Sequence, residues 1–273
     1  MTSLYCVFGH PIGHSRSPFI HQAFATSLGI DLRYEKREVP LDQFANYIAS
    51  FKAEGGKGAN ITVPFKQEAL ALAQHVTPRA RMAGAVNTLL FEASGGVVGD
   101  NTDGAGLLND LRRLGVKLKE ARIAILGAGG AVRGVIGPLL DAEPRSITIA
   151  NRTLSRAESL IGDWAGEARL SATSPDHLIG EFDLIINGTS ASLNNELPAI
   201  GDAKLKGNGW AYDMVYAAEP TPFMQWASSQ GAHAADGLGM LVEQAAESFT
   251  LWEGVRPAVE PVLEALRADI RHS

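Results

Sequence analysis

The chain has 273 residues, 45% hydrophobic and 20% charged, the balance of a globular protein with room for one large domain or two ordinary ones. Its 24 basic and 30 acidic residues give a net charge of −6 without any Lys/Arg run, so nothing marks it for nucleic acid. The single cysteine, Cys6, excludes an intramolecular disulfide and points to the cytosol, no stretch is long and apolar enough to suggest a membrane span, and the opening residues do not read as a leader.

In chain order, an apolar run at 4–9 stops before Pro11 and reads as a strand with Cys6 in its core. Residues 18–28 have helical spacing and end at Gly29; 33–39 is strand-like, and 41–51 is helical up to Gly55-Gly56. Next comes Gly58-Ala59-Asn60-Ile61-Thr62-Val63-Pro64-Phe65-Lys66, a β-branched strand that stops at Pro64. A helix starts at about Pro64, so Lys66 falls in its first turn, a poor place for a cation. Asn60, Thr62 and Lys66 therefore gather at one strand end, where α/β proteins keep their chemistry. Short strands follow near 87–91 and 97–99, then a helix at about 105–114 that joins two units. The second unit opens on Ile123-Ala124-Ile125-Leu126, a continuous apolar run of the kind found in a buried parallel strand. A glycine-rich turn and a helix to Leu140 come after it. Strands are expected at 146–150, 183–186, 211–215 and 232–234, a helix at 155–164, and a helical tail over 238–270 broken near Gly254 and Pro257. This alternation predicts an α/β protein of two domains with mostly parallel sheets.

A glycine-rich turn between a buried strand and a helix presents backbone N–H groups and the helix N-terminus to a pyrophosphate. Gly127 and Gly129 occupy the first two positions of G-x-G-x-x-G, but Val132 stands at the third, so the strand–turn–helix context carries the reading. At the end of the next strand an NAD site would carry an acid; here stand Asn151-Arg152-Thr153, with Arg156 a turn later. A guanidinium binds a 2′-phosphate that a carboxylate would repel, which predicts NADP(H) on a Rossmann-type domain.

Asp100-Asn101-Thr102-Asp103-Gly104 forms a second polar knot before a helix. Thr102 or Asp103 suits an N-cap, yet the whole cluster suits more, because an aspartate meeting Lys66 would make a proton-transferring pair. In His14-Ser15-Arg16-Ser17-Pro18, two hydroxyls precede a helix and suit a carboxylate, while Ser17 alone suits a plain N-cap. His10 and His14 are separated by Pro11 and Gly13 and do not share a helix face, so no metal site is expected.

These segments, with Ala83-Gly84-Ala85-Val86-Asn87-Thr88 and Asp236-Gly237-Leu238-Gly239-Met240, occur in an order that resembles the shikimate dehydrogenase family over nearly the whole chain. The resemblance implies reversible NADPH-dependent reduction of 3-dehydroshikimate to shikimate in aromatic amino-acid biosynthesis. It makes Lys66 and Asp103 the catalytic pair. Ser15 and Ser17, helped by Tyr216, hold the substrate carboxylate; Thr62, Asn87 and Gln244 bind substrate beside Asn60. Gly127, Ala128, Gly129, Gly130, Ala131, Asn151, Arg152, Thr153, Arg156 and Thr189 carry the cofactor, with Met214 and Gly237 near the nicotinamide. It implies a substrate domain of 1–104 and 238–273, an NADP-binding domain of 105–237, C-terminal helices that pack back on the first domain, and a cytosolic monomer or homodimer. Two positions depart from the family pattern: Ser192 stands where a glycine is usual, and Val76 where an acid is frequent. The competing readings are a quinate/shikimate dehydrogenase of relaxed choice and a non-catalytic NADP-binding sensor on the same fold.

Overall fold

Two six-stranded sheets organise the chain, and the computed structural model describes residues 2–272. The first unit takes the residues up to Gly106 together with Leu241–Ala268. Its elements are β1 (Ser3–Gly9), α1 (Ser17–Leu28), β2 (Leu32–Glu38), α2 (Phe44–Ala53), β3 (Gly56–Ile61), α3 (Lys66–Leu72), β4 (His75–Val76), α4 (Pro78–Ala83), β5 (Thr88–Phe91), β6 (Val97–Asp100) and the start of α5 (Asp103–Arg113). The sheet order is β2-β1-β3-β5-β6-β4. β1 runs parallel to β2 and β3, whereas β5 is antiparallel to β3 and β6. Pairing of Asn60 with Thr88, and of Thr88 with Asp100, brings the ends of β3 and β6 and the start of β5 to one edge of the sheet. The core between this sheet and its helices includes Cys6, Phe8, Phe44, Phe51, Ile61 and Phe65. Phe65 is fully buried and stacks on Phe44, with ring centroids 4.9 Å apart, which anchors the turn that presents Lys66.

The second unit spans Leu107–Met240 and the end of the last helix from Asp269. It contains β7 (Arg122–Leu126), α6 (Gly130–Asp141), β8 (Ser146–Ala150), α7 (Leu154–Gly162), β9 (Leu170–Thr173), β10 (Ile179–Asn187), β11 (Asp202–Asp213), α8 (Pro222–Ser229), β12 (His233–Asp236) and the start of α9 (Leu238–Glu253), before α10 (Glu260–His272) closes the chain. Its sheet is wholly parallel, in the order β12-β11-β10-β7-β8-β9. After β9 the chain returns to the other side of β7 to lay down β10. The strand order thus reverses between β7 and β10, the place where doubly wound sheets open a crevice at their carboxyl ends.

The structure shifts several element limits. The units part inside α5 and α9, at Gly106/Leu107 and Met240/Leu241, rather than at 104/105 and 237/238, because continuous helices carry the chain across. α3 starts at Lys66, since the Phe65 amide first closes a turn onto the Thr62 carbonyl at 3.0 Å. β10 and β11 begin earlier than expected, at Ile179 and Asp202; their first halves are largely exposed and polar, so only the buried second halves show an apolar run. β4, α4 and β9 are too short or too polar to stand out from the sequence.

Candidate active site

In the first unit the polar groups at the sheet edge meet. Lys66 Nζ lies 2.5 Å from Asp103 Oδ2, which joins the first residue of α3 to the first residue of α5. Asn87 Nδ2 donates to Asp103 Oδ1 at 2.8 Å and to Thr102 Oγ1 at 2.9 Å. Asn87 Oδ1 accepts the Thr102 amide at 2.9 Å and the Thr88 hydroxyl at 2.8 Å. Gln244 on α9 turns its Oε1 toward this pair, 3.4 Å from Asn87 Nδ2. Asp103 is therefore fixed on both oxygens, and the Thr102 hydroxyl is directed across the cluster rather than into a plain cap. Asn60 stands behind the cluster: its Oδ1 accepts from Tyr34 Oη at 2.7 Å, and its Nδ2 faces Thr88 Oγ1 and Ser248 Oγ at 3.1 and 3.0 Å. With this amide engaged internally, Asn60 supports Asn87 and Thr88 from below.

Arg79 and Ser248 bear no motif, yet both belong to this framework. Arg79 Nε and Nη2 clasp the buried Asp100 at 2.8 and 2.5 Å, and Nη1 reaches Glu247 at 3.2 Å. Burial opposes the charge of Asp100, but Arg79, Thr77 and the Asn101 amide together hold its carboxyl below the ordinary range. Asn101 then accepts the Asp103 amide at 3.1 Å, so the clasp sets the turn that carries Asp103. Thr77 also caps α4. Val76, the second of the two departures, pairs with Gly99 as a strand residue and places Thr77 for both tasks.

The other hydroxyls follow β1. Ser15 Oγ accepts the Ser17 amide at 3.3 Å, while Arg16, not Ser17, occupies the N-cap position of α1. Ser17 is buried in the first turn, so plain capping does not account for its side chain. Thr62 follows β3; its amide bonds to the Phe8 carbonyl at 3.0 Å, and its methyl group fills the space that a side chain at Gly9 would need. Thr62 and Lys66 thus lie on the β3 exit, next to the β1 exit that leads to Ser15 and Ser17. Tyr216 belongs to the second unit, on the loop after β11.

In that unit a cleft of about 600 Å³ opens at the carboxyl ends of β7 and β10. Among the expected cofactor residues, Gly127, Ala128, Gly129, Asn151, Arg152, Arg156 and Thr189 line it. Gly127 has φ +101°, a conformation that favours glycine, and no neighbour stands where a Cβ on Gly129 or Gly130 would be. No side chain caps α6, so its first-turn amides face open space beside Gly129. Val132 sits at the third motif position because the close approach has moved: a Cβ at Gly188 would lie 2.4 Å from Val132 Cγ2. Arg152 and Arg156 are exposed, and among the described residues no ion pair or hydrogen bond engages either guanidinium. Together these features fit a dinucleotide bearing an extra phosphate. Gly130 and Ala131 begin α6, and the Thr153 carbonyl accepts from Asn151 Nδ2 at 2.8 Å, which shapes the arginine turn. Met214 and Gly237 lie outside the cleft wall and touch each other; a Cβ at Gly237 would come within 2.3 Å of the Met214 carbonyl oxygen. The stretch from Asn194 to Ala199, which forms much of the opposite wall, carries no recognisable motif. Among the described residues no group of His, Cys, Asp and Glu could hold a metal ion, and no helix is long and apolar enough to cross a membrane.

Three family models cover most of the chain: "Shikimate dehydrogenase substrate binding domain" matches residues 7–89, "Shikimate / quinate 5-dehydrogenase" residues 110–197, and "Shikimate 5'-dehydrogenase C-terminal domain" residues 237–267. The chain is 55% identical to a shikimate dehydrogenase (NADP(+)) of Alcanivorax borkumensis, over 97% of each sequence. Its fold matches an Ael1 enzyme from Pseudomonas putida with TM-score 0.90 and 44% identity, over 97% of this chain and 98% of that one. It matches a shikimate 5-dehydrogenase from Thermus thermophilus, solved with NADP(H) and shikimate, with TM-score 0.87 and 33% identity, over 97% of this chain and 99% of that one.

Proposed function

The chain belongs to the shikimate dehydrogenase family, and on that premise we propose that it catalyses the reversible NADPH-dependent reduction of 3-dehydroshikimate to shikimate, with Lys66 and Asp103 as its acid–base pair. The observation that carries this reading is the Lys66–Asp103 pair at the sheet edge, with Asn87 fixing the second carboxylate oxygen. The bound cofactor supplies a hydride to the carbonyl carbon of the substrate. Lys66 Nζ supplies the proton that the carbonyl oxygen takes up as it becomes a hydroxyl, and recovers it in the reverse direction. Asp103 holds the ammonium group in place and offers an acceptor to a substrate hydroxyl. Ser15, Ser17 and Thr62 present hydroxyls on neighbouring strand exits, suited to the substrate's carboxylate and ring hydroxyls. Arg152 and Arg156 meet the 2′-phosphate, and the α6 N-terminus meets the pyrophosphate. The buried, free Cys6 accords with a cytosolic setting, where thiols stay reduced.

The experiment is a paired assay in the NADPH absorbance band. 3-Dehydroshikimate with NADPH, and shikimate with NADP+, are expected to give the highest kcat/KM. Quinate or NAD+ as the preferred partner would move the assignment to a relaxed quinate/shikimate enzyme. Cofactor binding without turnover would leave only the sensor.

A further inference from the structure

Asp213, the last residue of β11, is fully buried, and its hydrogen-bond partners are all neutral. Oδ1 accepts from Asn187 Nδ2 at 3.0 Å and from the Val215 amide at 3.1 Å. Oδ2 accepts from Ser192 Oγ at 2.6 Å and from Thr221 Oγ1 at 2.7 Å. A carboxyl group withdrawn from water requires donors of this number, since each unfilled acceptor site would cost free energy. The donors come from the end of β10, the short helical turn after it, the loop after β11 and the N-cap of α8. Asn187 extends the web: its Oδ1 accepts the Thr189 amide and hydroxyl at 3.0 and 2.7 Å, and its backbone carbonyl accepts the Met214 amide at 2.9 Å. A single side chain thus ties together two loops. One of them, 188–191, walls the cofactor cleft; the other carries Met214 and Tyr216.

We propose that Asp213 is a positioning residue for the cofactor, and that Ser192 is the tether through which it holds the cleft wall in its binding shape. The proposal rests on the NADP reading above. Ser192 does not line the cleft, although Ala191 and Asn194 on either side of it do. Its hydroxyl therefore acts through the loop: it accepts from Asn187 Nδ2 at 3.2 Å and donates to Asp213, bridging the two strand ends. A glycine at this position would leave Oδ2 with Thr221 alone and would free the backbone of the turn.

The test compares wild type with S192A, S192G and D213N. NADP+ affinity is read by titration calorimetry without substrate, and loop order by amide hydrogen exchange of ligand-free protein. S192A is expected to weaken NADP+ binding about 3- to 10-fold, the share of one charge-assisted hydrogen bond that reaches the ligand through an ordered loop. Exchange should quicken across 189–192, while KM for shikimate at saturating NADP+ stays within about twofold of wild type, because the loss is confined to the cofactor side. S192G should shift both readouts further. D213N, if folded, should weaken NADP+ more than S192A; if it does not fold, S192A decides. Wild-type affinity and wild-type exchange in S192A and S192G would overturn the tether, and so would an equal loss of shikimate affinity. A wild-type protein that binds no NADP+ would instead overturn the cofactor reading itself.

Discussion

Lys66 is the first residue of α3 and Asp103 the first of α5, so the same helix-end field acts on the two with opposite sign. The 2.5 Å contact between them holds Nζ against the carboxylate at the point where the proposed proton transfer takes place. Lys66→Ala should lower kcat by about 10²–10⁴ while changing KM for shikimate far less, because general acid–base catalysis acts mainly in the transition state. Steady-state kinetics in both directions measure it, and a variant with near wild-type kcat would remove Lys66 from the mechanism. Arg152→Asp replaces an exposed guanidinium, without an internal partner among the described residues, by a group that repels a phosphate and accepts a ribose hydroxyl. The ratio of kcat/KM for NADP+ over NAD+ should fall by at least about tenfold, the value of one such contact. An unchanged ratio would show that the 2′-phosphate is held elsewhere. Both side chains stand out in the sequence because each follows a strand end where the local pattern asks for no charge. Asn60 shows what the sequence does not carry: the bonds of its amide to Tyr34, Thr88 and Ser248 join segments far apart in the chain and follow only from the tertiary packing.

Elements were legible where burial is continuous and obscure where it is partial. β7 and β8 show themselves as apolar runs, whereas β10 and β11 begin as exposed, polar ribbons whose pairing depends on each other and not on composition. The network from Arg79 through Asp100 to Asn101 was hidden for a related reason: α4 is six residues long, and an arginine in so short a helix looks like a surface charge. α1 carries another feature that composition does not betray. His21 is fully buried, stacks on Tyr34 of β2 at 4.3 Å and lies near Phe249 and Trp252 of α9, and neither ring nitrogen has a hydrogen-bond partner. Burial pushes its pKa down to about 3. The unfolded chain takes up a proton on this residue below about pH 6.5 while the folded chain does not, so the unfolded state gains as pH falls toward about 3. His21→Phe keeps the ring and removes the titration. Relative to wild type it should gain about 1.4 kcal/mol of stability per pH unit between about pH 6 and the folded-state value of about 3. Urea unfolding at several pH values tests this; parallel pH profiles would show that another group governs acid sensitivity.

On the scale of the whole molecule, the proposed function divides the ligands between two sheets. The first unit gathers Lys66, Asn87 and Asp103, and the second gathers the glycine turn and the arginines. Hydrogen exchange should separate them: NADP+ alone should protect 127–131, 150–156 and 188–191, and shikimate alone 60–66, 87–88 and 100–103. At about 100 times its dissociation constant each ligand should add about 2.7 kcal/mol of stability. Protection of one set of segments by the other ligand would break the division. The first unit is also discontinuous in the chain, since Leu241–Ala268 completes it. That has a consequence for synthesis. The bond from Asn60 Nδ2 to Ser248 Oγ spans 188 residues, which at about 5–20 residues per second is a delay of roughly 10–40 s on the ribosome. Until α9 emerges, the aromatic bed around His21 and the polar bed under Asn87 both stand open. The nascent first unit is then a client for whatever shields unfinished chains, and a premature stop just before α9 is expected to abolish activity while leaving Lys66 and Asp103 in the chain.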